Sequence, residues 1–339
     1  MFLPRKKFFA TSQAFKICIL AISTFVGFSA TAIAAPLSLE IPVKCEIGVE
    51  CFLQQMPDMD LSQAVVDSRC RSASYDGHKG TDIRLLSMED VKRNVLVIAA
   101  ADGTVKGLRD GEKDQLVLTA TDRRTIENRE CGNGVVIDHG NGIETQYCHM
   151  KMGSIAVKYG QPVKAGDPLG FVGASGWAQF PHLHMSVRQD GNTIDPFTGR
   201  SLGEECSTNS AGSWWKDKDF AESTGDAEIL KTGLAGAPLN HAELVLSGGP
   251  ANASVSDNAI VGWVWFANLR KDDQIYMSLT GPNGLAVKDT TKPLDRNKAS
   301  WSGFIGKKRT PEKGDYAFEI KVLRDQKILK SQNSKFTIE

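Results

Sequence analysis

Four of the six histidines fall in three short segments, and these rings define the chemistry open to the chain. His78 lies in Gly77-His78-Lys79-Gly80-Thr81-Asp82, and His149 in Tyr147-Cys148-His149-Met150. His182 and His184 share Pro181-His182-Leu183-His184. Imidazoles gathered with one carboxylate can hold a divalent ion, and rings left over can move protons beside it. On a strand, His182 and His184 share a face about 6.6 Å apart, with Leu183 packing behind. Such a pair can bind one ion together, or one ring can hold it while the other stands beside its water. Alone, His-x-His is a common chance pattern, and any one of these histidines taken singly reads as an ordinary buried or surface residue.

His78 and Asp82 are four apart. Gly77, Gly80 and Thr81 disfavour a helix, and a straight strand would separate the two by about 13 Å. Shared coordination therefore requires a bend, which the glycines permit. Two donors each about 2.1 Å from zinc would lie some 3.4 Å apart. Two imidazoles, a carboxylate and a water make the open coordination of catalytic zinc, whereas structural zinc prefers four ligands and usually cysteines. His149 ends a predicted strand and can face the same groove. Its neighbour Cys148 points to the opposite face, which argues against a Cys–His nucleophile.

The elements that must position these groups are mostly strands. Residues 77–200 alternate in short β segments: Val95–Ala99, Gly103–Leu108, Gln115–Ala120, Gly134–Ile137, Ile143–Cys148, Gly170–Val172 and His182–Val187. Ala101-Asp102-Gly103 and Gly140-Asn141-Gly142 are among the turns between them. Met88–Arg93 is the one helical stretch expected there. Residues 35–76 read as an irregular, disulfide-held segment, and 201–238, rich in Gly, Ser, Ala and charge, as a connection in which Trp214-Trp215 makes an interdomain contact. From 239 to 339 about seven further strands are expected, including Ala242–Leu246, which suggests an immunoglobulin-like β-sandwich. Lys307-Lys308-Arg309 in that region reads as a solvated turn, and Asn252-Ala253-Ser254 as a sequon by pattern only.

Residues 1–34 read as a signal peptide. Arg5, Lys6, Lys7 and Lys16 precede an apolar run from Ile17 to about Phe28, and Ala32-Ile33-Ala34 fits a cleavage site. The run is short for a membrane span of about 20 residues, and no later segment is expected to span a bilayer. Cleavage removes four basic and no acidic residues, leaving 36 basic against 40 acidic, which argues against nucleic acid as a partner. Six cysteines remain, an even number that in an exported chain reads as three disulfides. A hairpin turning at His139-Gly140-Asn141-Gly142 would bring Cys131 and Cys148 within reach if a bulge absorbs the offset. The other four cysteines stay unassigned.

Taken together, His78-x-x-x-Asp82, Tyr147-Cys148-His149 and His182-x-His184 resemble the M23 family of metallopeptidases, of lysostaphin and LytM type. Ala99–Val105, Gly132–Gly140, Gly160–Asp167 and Gly173–Gly176 resemble the family as well, so the likeness covers about residues 75–197. The resemblance implies an antiparallel β-sheet domain with an open groove, of duplicated hybrid motif type. It implies Zn2+ held by His78, Asp82 and His184, with His149 and His182 as the catalytic histidines. It further implies hydrolysis of peptide cross-links of peptidoglycan, which the leader fits by sending the chain to the periplasm. No His-Glu-x-x-His is present, so histidine has to supply the base. Alternatives are a wall-binding scaffold or amidase activator, and a secreted peptidase acting on proteins. Trp177-Ala178-Gln179-Phe180 departs from the family's small polar residues, and Leu108–Cys131 is long enough for an added hairpin over the groove. Tyr75 reads as a hydrogen-bond donor near the metal or as packing, and Asn133 as a residue lining the site.

Overall fold

The computed structural model describes residues 1–5, 7, 9, 10, 37–210 and 212–339. The apolar run and cleavage site of the expected leader lie outside the described residues. Leu37–Glu339 forms one unit of contacts. Among the described residues, no helix is long and apolar enough to cross a membrane.

The first part of that unit runs β1 (Phe52–Gln55), β2 (Thr81–Arg84), α1 (Met88–Val91), β3 (Leu96–Ile98), β4 (Gly103–Arg109) and α2 (Ala120–Thr125). It continues through β5 (Asn133–Asp138), β6 (Ile143–Met150), β7 (Pro162–Val163), β8 (Pro168–Phe171), β9 (His182–Gln189), β10 (Asn192–Asp195) and β11 (Arg200–Ser201). Then come α3 (Lys218–Glu222), β12 (Glu228–Ala235), α4 (His241–Ser247), β13 (Ile260–Leu269) and β14 (Gln274–Gly281). The chain ends with β15 (Leu285–Thr290), β16 (Lys298–Lys307), β17 (Gly314–Arg324) and β18 (Lys327–Ile338). The fold is mainly β, in antiparallel sheets.

Nine strands form one sheet, ordered β1-β2-β9-β6-β5-β4-β7, with β10 and β11 continuing from β9. β9 lies between β2 and β6. Its Leu183, Met185 and Val187 enter the core beside Ile83, Val135 and Tyr147, so His182, His184 and Ser186 stand on the opposite face. The β5–β6 hairpin forms with an irregular register between Asn133 and Val135, and a Cys131–Cys148 disulfide closes its base. Cys45–Cys51 and Cys70–Cys206 are the other two disulfides.

Five sequence expectations need correction. Residues 35–76 are not wholly irregular, because β1 supplies the edge strand beside β2. Gln115–Ala120 is no strand, and no hairpin covers the groove. Instead Thr119 and Asp122 form a reciprocal capping box that starts α2. Ala242–Leu246 is helical: the Asn240 side chain accepts from the Ala242 N–H, and Gly248, at φ 77°, ends α4. A five-residue apolar run has no clear period, and these caps decide it. β12 falls inside the expected connection, where its mixed composition hid it, yet it pairs with β13. Trp214 and Trp215 bury in the same core as β9 instead of bridging domains, with Trp215 against Phe197 and Phe220.

The remaining strands make a three-stranded sheet, β12-β13-β16, and a four-stranded one, β15-β14-β17-β18. A core of Val264, Phe266, Leu279, Phe318 and Ile320 lies between them. The other face of β13, through Trp263, Trp265 and Ala267, joins Phe52 of β1 and Leu244 of α4.

Candidate active site

The β2–β9 ladder brings chain-distant groups together. Asp82 is the register partner of His184, and Arg84 that of His182. His78 precedes β2 in a turn: Gly77 has φ 76°, and the His78 N–H donates to the Tyr75 carbonyl at 3.0 Å. The required bend therefore lies before the strand. His78 Nε2 comes 3.1 Å from Asp82 Oδ1 and 3.2 Å from His184 Nδ1, and His184 Nδ1 is 2.8 Å from Asp82 Oδ1. Gly80 allows this approach, since a Cβ there would sit 2.6 Å from His184 Nε2.

Hydrogen bonds fix the tautomers. A carbonyl can only accept, so His78 Nδ1 donates to the Met56 carbonyl at 2.7 Å and leaves a lone pair on Nε2 when the ring is neutral. His149 Nδ1 donates likewise to the Ser175 carbonyl and His182 Nδ1 to the Phe180 carbonyl, each at 2.8 Å. His184 Nε2 pairs with Ser186 Oγ at 3.0 Å, turning Nδ1 toward Asp82. Two ring nitrogens and a carboxylate oxygen thus converge as electron-pair donors. Their spacing is close to the roughly 3.4 Å expected around zinc. This donor set fits a divalent cation.

His149 takes a left-handed backbone, φ 61°, at the end of β6, which breaks the strand's alternation. Its ring centroid lies 4.5 Å from that of His182 and 5.9 Å from that of His184. His182 Nε2 is 3.8 Å from Asp82 Oδ1. All five expected site residues therefore gather around one point beside the polar face of β9.

Electrostatics divide them into two groups. Burial opposes charge on His78, but the Asp82 carboxylate and the Met56 carbonyl outweigh it and raise its pKa. Burial would push Asp82 up, yet the neighbouring histidines hold it well below the usual carboxylate range. His149 is driven well below the usual imidazole value, first by burial and then by the charges of His182 and His184. Burial also lowers His182. Both of these rings are neutral near pH 7, each with an Nε2 lone pair.

Of the secondary expectations, Tyr75 lays its ring 4.5 Å from that of His78 and stays half exposed. Asn133 is fully buried, and backbone groups occupy it: its amide donates to Glu112 and Met150 carbonyls, and its Oδ1 accepts from the Glu112 N–H. In the divergent Trp177–Phe180 stretch, Phe180 stacks on His182 at 4.6 Å and Trp177 on the Arg123 guanidinium at 3.9 Å. Phe180 and the carbonyls of Met56 and Ser175 escape a sequence reading. Backbone acceptors carry no residue-type signal, and Phe180 gives only its nearness to Pro181-His182.

Comparison with known proteins agrees. Residues 76–196 match the description Peptidase family M23. Sixty-five residues are 43% identical to the DD-carboxypeptidase/endopeptidase Mpg of Neisseria meningitidis, covering 19% of this chain and 14% of that protein. The peptidoglycan DD-endopeptidase ShyA of Vibrio cholerae is 41% identical over 82 residues, 23% of this chain and 19% of its own. The murein hydrolase activator EnvC of Escherichia coli is 33% identical over 104 residues, 30% of this chain and 22% of its own. The chain thus spans less than a quarter of each of these relatives. His78, Asp82, His149, His182 and His184 all fall within the matched span, and residues 76–196 are a peptidase family M23 domain.

Proposed function

We propose that the chain is an exported zinc metalloendopeptidase that hydrolyses peptide cross-links of peptidoglycan in the periplasm. The observation that carries the reading is the convergence of His78, Asp82 and His184 beside two neutral imidazoles whose Nδ1–H groups are held by carbonyls. The names of the similar proteins Mpg and ShyA support the substrate class, and three disulfides suit an oxidising compartment.

His78 Nε2, Asp82 Oδ1 and His184 Nδ1 would hold the zinc. When bound, it would supply Lewis acidity, polarising a carbonyl and lowering the pKa of water toward about 7. His149 and His182 handle the protons. One neutral Nε2 removes the proton from the attacking water and, as imidazolium, passes that proton to the departing amine, while the other ring steadies the oxyanion after taking a proton from solvent. Their Nδ1 bonds to carbonyls keep both rings in the tautomer this requires.

The likeness to EnvC favours a second reading, an activator that binds without cutting. Retention of both metal donors and proton-transfer rings weighs against it. Digestion of purified wall by the zinc-loaded protein, with His149→Ala and His182→Ala controls, tests the proposal. Release of new amino termini by the parent and not by the variants supports it. Equal release by all three sinks the catalytic assignment, and no release from wall with cleavage of a protein substrate points to a general secreted peptidase.

A further inference from the structure

Arg84 lies on the groove face of β2, and the proposed reaction does not use it. Its register partner is His182, just as His184 is that of Asp82. The two pairs follow one another on one face, about 6.6 Å apart. Arg84 is 1% exposed and has no carboxylate partner among the described residues. Nε donates to the Leu85 carbonyl at 3.1 Å, Nη1 to Gln54 Oε1 at 2.9 Å and Nη2 to the Leu86 carbonyl at 3.1 Å. A guanidinium has five N–H donors. By count these bonds leave one N–H on each η nitrogen, and a carboxylate bound end-on takes one from each.

The surroundings fit such a ligand. The guanidinium lies 4.8 Å from the Phe180 ring and 4.7 Å from that of Trp265, and Phe180 in turn stacks on His182. Beside it is a cavity of about 390 Å³, within the size range of small-ligand sites. Gln54, Arg84 and Phe180 wall it from the peptidase side, and His241, Val245 and Trp265 from the other. A buried cation without a counter-ion is unfavourable, and an anionic ligand would relieve it. The competing reading is a clamp, in which Arg84 merely joins two aromatic rings across the sheets.

We propose that this cavity is a substrate subsite that binds the free terminal carboxylate of a peptide, held end-on by Arg84, with a small apolar side chain against Val245 and Trp265. An extended peptide advances about 3.3 Å per residue, so the carboxylate would lie about two residues beyond the bond over the metal donors. The leaving fragment is then short and ends in a free carboxylate. The second β unit becomes part of the substrate site. This place in a reaction rests on the peptidase reading, but the binding does not.

The test is calorimetric titration of the full chain with acetyl-dialanine and with its C-terminal amide, before and after chelation of metal. The free acid is expected to bind at least tenfold more tightly than the amide in both states. Arg84→Gln should abolish that preference. Ala242→Trp, an exposed position at the cavity wall, should block the cavity without disturbing Arg84 and remove acid binding. Equal binding of acid and amide, a preference that survives Ala242→Trp, or no binding at millimolar concentration overturns the proposal. If the preference is found while wall digestion fails, the subsite stands and the peptidase reading falls. If the wall is digested and acid and amide bind alike, the subsite falls and the peptidase reading stands.

Discussion

β9 and β13 are both central strands of antiparallel sheets, paired on each side, yet their second faces have opposite fates. Every residue of β13 is buried: one face packs into the core against β14 and β17, and Trp263 and Trp265 on the other lock onto β1 and α4. β9 buries Leu183, Met185 and Val187 on one face and keeps His182, His184 and Ser186 on the other. A central strand can thus spend both faces on cohesion, or reserve one for chemistry and leave its neighbours to stabilise it. Polar groups repeated at period two on a central strand mark the second case.

The largest effect expected is on turnover. His149→Ala and His182→Ala should each slow wall digestion by about 10²–10⁴-fold, the usual worth of positioned acid–base groups. Urea unfolding should move by about 1–3 kcal/mol, the cost of leaving the Ser175 or Phe180 carbonyl without its buried donor. A stability loss as large as that of a core residue would break the contrast with β13.

The reciprocal experiment is Phe266→Ala on β13, where the ring is fully buried. It should cost about 3–5 kcal/mol in denaturant unfolding, while zinc content of the folded protein stays at the parent's level. Loss of zinc at unchanged stability would show that the two strands are not separable in this way.

Between these lies Gly80→Ala. The new Cβ would meet His184 Nε2 at 2.6 Å and the Met185 carbonyl at 2.8 Å. The β2–β9 approach must widen, with an expected cost of about 1–3 kcal/mol and a drop in zinc affinity of at least about tenfold, the scale seen when ligand orientation is lost. Competition with a fluorescent chelator measures the second quantity. Unchanged affinity would mean that His184 does not need this glycine.

The sequence and the structure agree best where period and turn chemistry act together. The β5–β6 hairpin and its Cys131–Cys148 bridge followed from strand alternation and a glycine-rich turn, and β9 from His-x-His. Short apolar runs misled, because five residues such as Ala242–Leu246 have no definite period until Asn240 and Gly248 cap them. β12 was hidden by the Gly and Ser around it, and is recognisable only through its pairing with β13. Arg84 is silent in sequence, since nothing in Thr81-Asp82-Ile83-Arg84 reveals that Trp265, 181 positions later, will cover it. Contacts between chain-distant surfaces leave no local pattern.

The smallest effect belongs to the seam between the two regions. Asp226 accepts from Arg71 at 2.9 Å, from Arg270 at 3.2 Å and from Arg324 at 2.8 Å, which draws the segment before β2 to the ends of β13 and β17. Burial alone would raise its pKa, but Arg324 and Arg270 overcome this and hold it below the usual value. A carboxyl lowered on folding contributes stability above its unfolded pKa of about 3.9, and loses that contribution as pH falls through the folded value. Asp226→Asn should therefore cost about 1–2 kcal/mol at neutral pH, and its melting curve should converge on the parent's as the medium is acidified below pH 4. Turnover at neutral pH should stay unchanged, because the groove face of β9 does not touch this cluster. Equal destabilisation at neutral and acid pH would mean that packing at the seam, and not charge, joins the strand that binds to the strand that holds.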